Sequence, residues 1–94
     1  KHKSATFCVK VNGSSMNGVG IHSGDVLIVD RAESVKNNSI VLAVIDNEFT
    51  VKSIKKNAGK LYLNPANDNY KPIEITEDMN FHIWGVVTFV IHAL

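Results

Sequence analysis

Cysteine occurs once in the 94 residues, at Cys8, so no internal disulfide staples the chain and no Cys/His spacing of a zinc site exists. No metal site or cofactor is therefore expected. Neither sign of charge dominates: ten Lys+Arg stand against nine Asp+Glu, a formal net charge of +1. That balance removes the electrostatic basis for tight nucleic-acid binding, which needs a clustered basic surface. No apolar run approaches the roughly 20 residues that cross a bilayer. The opening Lys1-His2-Lys3-Ser4 lacks both an initiator Met and the pattern of a secretory signal. Apolar residues at 45% and charged residues at 20% match ordinary globular usage. The expectation is one soluble, cytoplasmic domain over 1–94, a fragment or processed product of a longer chain.

Helical periodicity is also nearly absent. What recurs is short strand patterns between polar turns. From Ala5 to Val11, Phe7, Val9 and Val11 share one face while Thr6, Cys8 and Lys10 share the other. Asp25-Val-Leu-Ile-Val-Asp30 and Ile40–Ile45 are uninterrupted apolar runs rich in β-branched side chains. Asp46-Asn47 suits a two-residue hairpin turn, because both residue types tolerate positive φ. Glu48–Ile54 is the return strand. Lys55–Lys60 reads as a basic loop, Leu61–Leu63 as a strand closed by Asn64-Pro65, and Ile73 and Ile75 as a brief strand. Phe81–Leu94 is the longest apolar stretch, with Gly85 marking a bulge. Seven short strands predict an all-β domain. The glycine-rich segment Gly13–Gly24 lacks strand character and is expected as a short helix or tight coil at the edge of the sheet.

Two places could carry chemistry. Ser14-Ser15-Met16 follows Asn12-Gly13, and on local sequence alone a turn explains it. Lys52 is more unusual, because its neighbours Phe49, Val51 and Ile54 predict a buried strand. Burial disfavours an ammonium and lowers its pKa, and a neutral amine can take the proton of a serine hydroxyl. Thr50, two residues back, projects on the same side as Lys52 and could orient the amine.

In order and spacing, Val11-x-Gly13-x-Ser15-Met16, Gly20-Ile21-x-x-Gly24-Asp25-x-Leu27-Ile28-Val29-Asp30 and Glu48-Phe49-Thr50-Val51-Lys52 resemble the LexA/UmuD (S24-type) family of self-cleaving serine peptidases. Asn67-x-x-Tyr70-x-Pro72-Ile73 and Trp84-Gly85-Val86-Val87 look most like its UmuD branch. The resemblance implies a LexA/UmuD-type fold of short, mostly antiparallel strands with one short helical turn after the nucleophile. It puts the nucleophile at Ser15, the general base at Lys52 and the assisting hydroxyl at Thr50, with backbone N–H groups of Ser14 and Ser15 as oxyanion donors. It further implies cleavage of an N-terminal arm on a RecA–single-stranded-DNA filament. The trimmed homodimer, formed partly through the Phe89-Val90-Ile91 strand, would then join a UmuC-type Y-family polymerase in SOS mutagenesis and translesion synthesis. The alternative is the autocleavage and dimerisation domain of a LexA-like or phage repressor. No sequence-specific DNA binding and no membrane association are expected of this chain.

The family's scissile Ala-Gly or Cys-Gly lies well upstream of the nucleophile and is not in the chain. Ala58-Gly59 falls on the wrong side of Ser15 and reads as coincidence. Asn38-Ser39 and Asp46-Asn47 depart from the family's usual Gly-containing turns, which touches loops rather than the dyad. His22 is an alternative partner for Ser15, with solvent exposure the stronger reading. Cys8 is expected as a small packed side chain and Trp84 in a core or interface. Asp25 and Asp30 are expected to cap turns.

Overall fold

The computed structural model describes residues 5–94. The alternating segment at the start forms β1, Thr6–Lys10, with Phe7 and Val9 turned inward. It pairs with β2, Val26–Asp30. The apolar run Ile40–Ile45 is β3 and joins β4, Glu48–Asn57, through Asp46 and Asn47 at φ 48° and 72°. Two successive positive φ values give a turn whose twist matches that of the strands it joins. Strands β5, Lys60–Asn64, β6, Ile73–Ile75, and β7, Phe81–Ile91, complete a seven-stranded sheet. Its order is β1-β2-β7-β3-β4-β5-β6, and every pairing is antiparallel. A 3₁₀ turn, Asn17–Val19, follows Ser15. The expected architecture of short antiparallel strands with one helical turn is the one observed.

Strand β3 shows why its sequence does not alternate. Leu42 packs with Met16, Ile21, Leu27 and Val29 on one side, whereas Val41 and Ala43 pack with Ile54, Leu63 and Val86 on the other. The sheet curls so that both faces of its central strand are covered, and a polar residue at any of these positions would be desolvated.

Strand β7 spans the molecule by carrying two bulges. Against β3, Leu42 pairs with Gly85 and Ala43 with Ile83, leaving Trp84 extra. Against β2, Ile28 pairs with Phe89 and Val29 with Val87, leaving Thr88 extra. Gly85 is required by close approach, since a Cβ there would lie 2.7 Å from Val29 Cγ1 and 3.0 Å from the Asp30 carbonyl oxygen. Gly85→Ala is expected to destabilise the fold by about 1–3 kcal/mol through overpacking, measured by chemical denaturation.

Four expectations need correction. Lys55–Lys60 is not a loop, because β4 runs to Asn57 and turns at Ala58-Gly59 (φ 52° and 78°) into β5. The tip of this hairpin, Lys56–Lys60, is exposed, so polar residues sit at the strand ends without conflict. Cys8 is exposed, being on the outward face of an edge strand. Trp84 is 40% exposed and so lies outside the core, on the same exposed side of β7 as His82, with its indole against Phe7 and Phe49 and under the Arg31 guanidinium. The segment Gly13–Gly24 is not peripheral. Met16 and Ile21 are buried and plug the core between β2 and β3. Asp25 and Asp30 behave as expected, accepting from the backbone N–H of His22 at 2.7 Å and of Ala32 at 2.9 Å.

Candidate active site

Burial of Met16 determines where its neighbour goes. With the Met16 side chain in the core, Ser15 stands at the rim of a cleft lined by Val9, Val11, Leu42, Phe49, Thr50 and Lys52. Val9 and Lys10 come from edge strand β1, Val11 follows directly after it, and Phe49–Lys52 come from the part of β4 that pairs with β3 alone, since β5 meets β4 only from Ser53 onward. Two strand edges thus border the same cleft, each with backbone groups available to an added strand.

Lys52 and Thr50 are two residues apart in β4 and share a face, opposite Val41 and Ala43 of β3. The Lys52 Nζ lies 2.8 Å from Ser15 Oγ and 2.5 Å from Thr50 Oγ1. Thirty-seven residues separate Lys52 from Ser15, and only the curl of the sheet brings them together. The Lys52 amine is half-buried, and desolvation holds it below the usual lysine range. A lysine so placed can be neutral at a pH where exposed lysines are charged. It can then donate to Thr50 while accepting from the serine hydroxyl.

His22, the other candidate partner, is held elsewhere. Its Nδ1 lies 3.1 Å from Asn17 Oδ1, and its ring is 6.3 Å from that of His92. His92 in turn bonds Asp25 at 2.8 Å. The backbone N–H of His22, followed by the His92 side chain, holds the Asp25 carboxyl below the usual carboxylate range. None of His22, Asp25 and His92 lines the Ser15–Lys52 cleft, and their contacts brace the exit of the glycine-rich segment.

Residues 66–70 contribute contacts that the sequence did not reveal. The Ala66 N–H donates to the Ser15 carbonyl at 2.7 Å, and the Gly18 N–H donates to the Ala66 carbonyl at 2.6 Å. Asn67 Nδ2 donates to the Ser14 carbonyl at 2.8 Å, and the Tyr70 hydroxyl lies 3.0 Å from Ser14 Oγ. Gly18 is needed for this docking, because a Cβ there would fall onto the Ala66 carbonyl oxygen. Asn67 and Tyr70 were visible in the sequence as part of a motif, but nothing in their spacing indicates a partner more than fifty residues away.

The sequence pattern of the family described as Peptidase S24-like matches residues 1–88. The LexA repressor of Glaesserella parasuis serovar 5 (strain SH0165) is 39% identical over 90 residues, covering 95% of this chain. The chain spans 43% of the length of that relative. A match over nearly the whole chain, on a β-fold that brings a serine and a half-buried lysine together, shows that the chain belongs to the Peptidase S24-like family, the LexA/UmuD type of self-cleaving peptidase domain.

Proposed function

We propose that this chain is the self-cleaving and dimerising domain of a LexA-like SOS repressor, with Ser15 as nucleophile and Lys52 as general base. The observation that carries this reading is the 2.8 Å contact between Lys52 Nζ and Ser15 Oγ in a cleft bordered by two strand edges. An extended segment of the full-length protein enters the cleft as an added strand, and the apolar walls exclude water from the bond to be cut. The neutral Lys52 amine takes the Ser15 hydroxyl proton as Oγ attacks the peptide carbonyl, while Thr50 orients the amine. Backbone N–H groups of Ser14 and Ser15 receive the oxyanion. Lys52 then protonates the leaving amine, and water hydrolyses the resulting ester. The 39% identity to a LexA repressor supports the repressor form of this activity.

A second copy is the partner for the C-terminal end of β7. Residues 87–91 pair with β2 on one edge only, and Phe89 and Ile91 are 68% and 53% exposed. A homodimer through this edge covers both features.

The UmuD-type role, a cytoplasmic accessory of an error-prone Y-family polymerase, is the second reading. It rests on Asn67-x-x-Tyr70-x-Pro72-Ile73 and Trp84-Gly85-Val86-Val87. The gene upstream of Lys1 separates the two: a helix-turn-helix region supports the repressor, and a short arm with Cys-Gly or Ala-Gly supports the accessory protein. The shared chemistry is tested in the full-length parent with a RecA–single-stranded-DNA filament. Ser15→Ala should leave the parent intact at every pH on an electrophoretic gel. Processing of that variant at the wild-type rate would remove Ser15 from the mechanism.

A further inference from the structure

We propose that Asn67 is a positioning residue for the oxyanion site, acting through the Ser14–Ser15 peptide group; this deepens the assignment of Ser15 as nucleophile and rests on it. The orientation of the Asn67 amide follows from its two contacts. Its Oδ1 accepts the Asn69 N–H at 3.0 Å within its own loop, so Nδ2 is the end that faces Ser14 and donates to that carbonyl at 2.8 Å. The same carbonyl accepts from the Asn17 N–H at 3.2 Å. A trans peptide is planar, and its C=O and N–H point in opposite directions. The described chain contains no cis peptide bond. Holding the Ser14 oxygen toward Asn67 and the 3₁₀ turn therefore aims the Ser15 N–H the other way. Ser15 lines the cleft whereas Ala66 and Asn67 do not, so the side away from Asn67 is the cleft side. The next peptide is held likewise, with the Ser15 carbonyl accepting from the Ala66 N–H.

Loop 66–67 is thus a template on which two successive carbonyls are pinned. The donor facing the cleft is aligned before substrate arrives, and such pre-alignment is where oxyanion sites derive their effect. Without the Asn67 donor the Ser14 carbonyl keeps only the longer contact to Asn17, and the peptide plane is free to rock.

The test uses diisopropyl fluorophosphate, which needs no peptide substrate. Ser15 Oγ forms a bond to phosphorus, the P–F bond breaks, fluoride leaves, and the hydroxyl proton passes to the Lys52 amine; the phosphoryl oxygen occupies the oxyanion position. Labelling rates of the intact protein are followed by mass spectrometry across pH, with Ser15→Ala as background. Asn67→Ala should slow labelling by about tenfold or more at every pH, with the inflection set by Lys52 where it stands in the wild type. Asn67→Asp keeps the acceptor for Asn69 but not the donor to Ser14, so it should be equally slow while melting near the wild-type temperature. Wild-type rates in either variant would overturn the proposal, as would a moved inflection with an unchanged plateau. A collapse of the melting temperature in Asn67→Asp would assign the residue to the fold instead. Absence of labelling above background in the wild type would remove the nucleophile reading itself, and this proposal with it.

Discussion

Lys52→Met is expected to reduce cleavage by roughly 10⁴-fold or more while leaving the domain at least as stable as the wild type at neutral pH. The two halves of this result have one cause. Half-burial desolvates the ammonium and lowers its pKa below the ordinary lysine value of 10.5. Cleavage needs the neutral amine, so the wild-type rate should rise with pH and level off at a lower pH than an exposed lysine would produce. Stability follows the same proton. The unfolded chain keeps Lys52 charged up to the ordinary value, whereas the folded chain releases the proton earlier. Between the two pKa values the unfolded state binds more protons, and stability increases with pH. Below the folded value the desolvated ammonium is a constant penalty, which methionine removes. Processing rates of the full-length protein from pH 6 to 11, with urea denaturation of both proteins at pH 7, test the pair. An active Lys52→Met protein would exclude the residue as base. A strongly destabilised one would show that its bonds to Ser15 and Thr50 outweigh desolvation.

Met16→Ala and Leu63→Ala should separate the two sides of the core. Both side chains are buried, at 3% and 0% exposure, and each truncation is expected to destabilise by about 2–5 kcal/mol through loss of burial and the cavity left behind. For a domain of this size that is a large share of the total, about 5–15 kcal/mol. Only Met16, however, belongs to the cluster beneath the nucleophile segment, while Leu63 packs between β3, β4 and β7 on the other side. Met16→Ala should therefore also slow fluorophosphate labelling of Ser15 under conditions where the variant is still folded. Leu63→Ala should leave that rate unchanged. Equal slowing in both would mean that the site responds to global stability rather than to its own anchor.

The strand content was legible because apolar alternation and β-branched runs report backbone geometry locally. Phe7 and Val9 face inward as their spacing requires, and Asp46-Asn47 turns as its side chains permit. The pairing of Thr50 with Lys52 on one face was legible for the same reason. Polarity misled where a strand runs out to an exposed hairpin tip: Lys55, Lys56 and Asn57 look like loop residues and are β4. Trp84 and Cys8 failed as core candidates because each falls on an outward face of its strand, Trp84 in step with His82, and strand position overrides the average behaviour of a residue type.

Local sequence by itself determined where the apolar strands lie, that Asp46-Asn47 turns, and that Lys52 lies on a strand with Thr50 at its side. These are properties of neighbours a few residues apart, set by sterics and side-chain spacing. The meeting of Lys52 with Ser15, the seating of Met16 and Ile21 in the core, and the grip of Ala66 and Asn67 on the nucleophile segment were decided only by tertiary structure. Each depends on how far a seven-stranded sheet curls before its faces close, a quantity summed over the whole core that no short stretch of sequence contains.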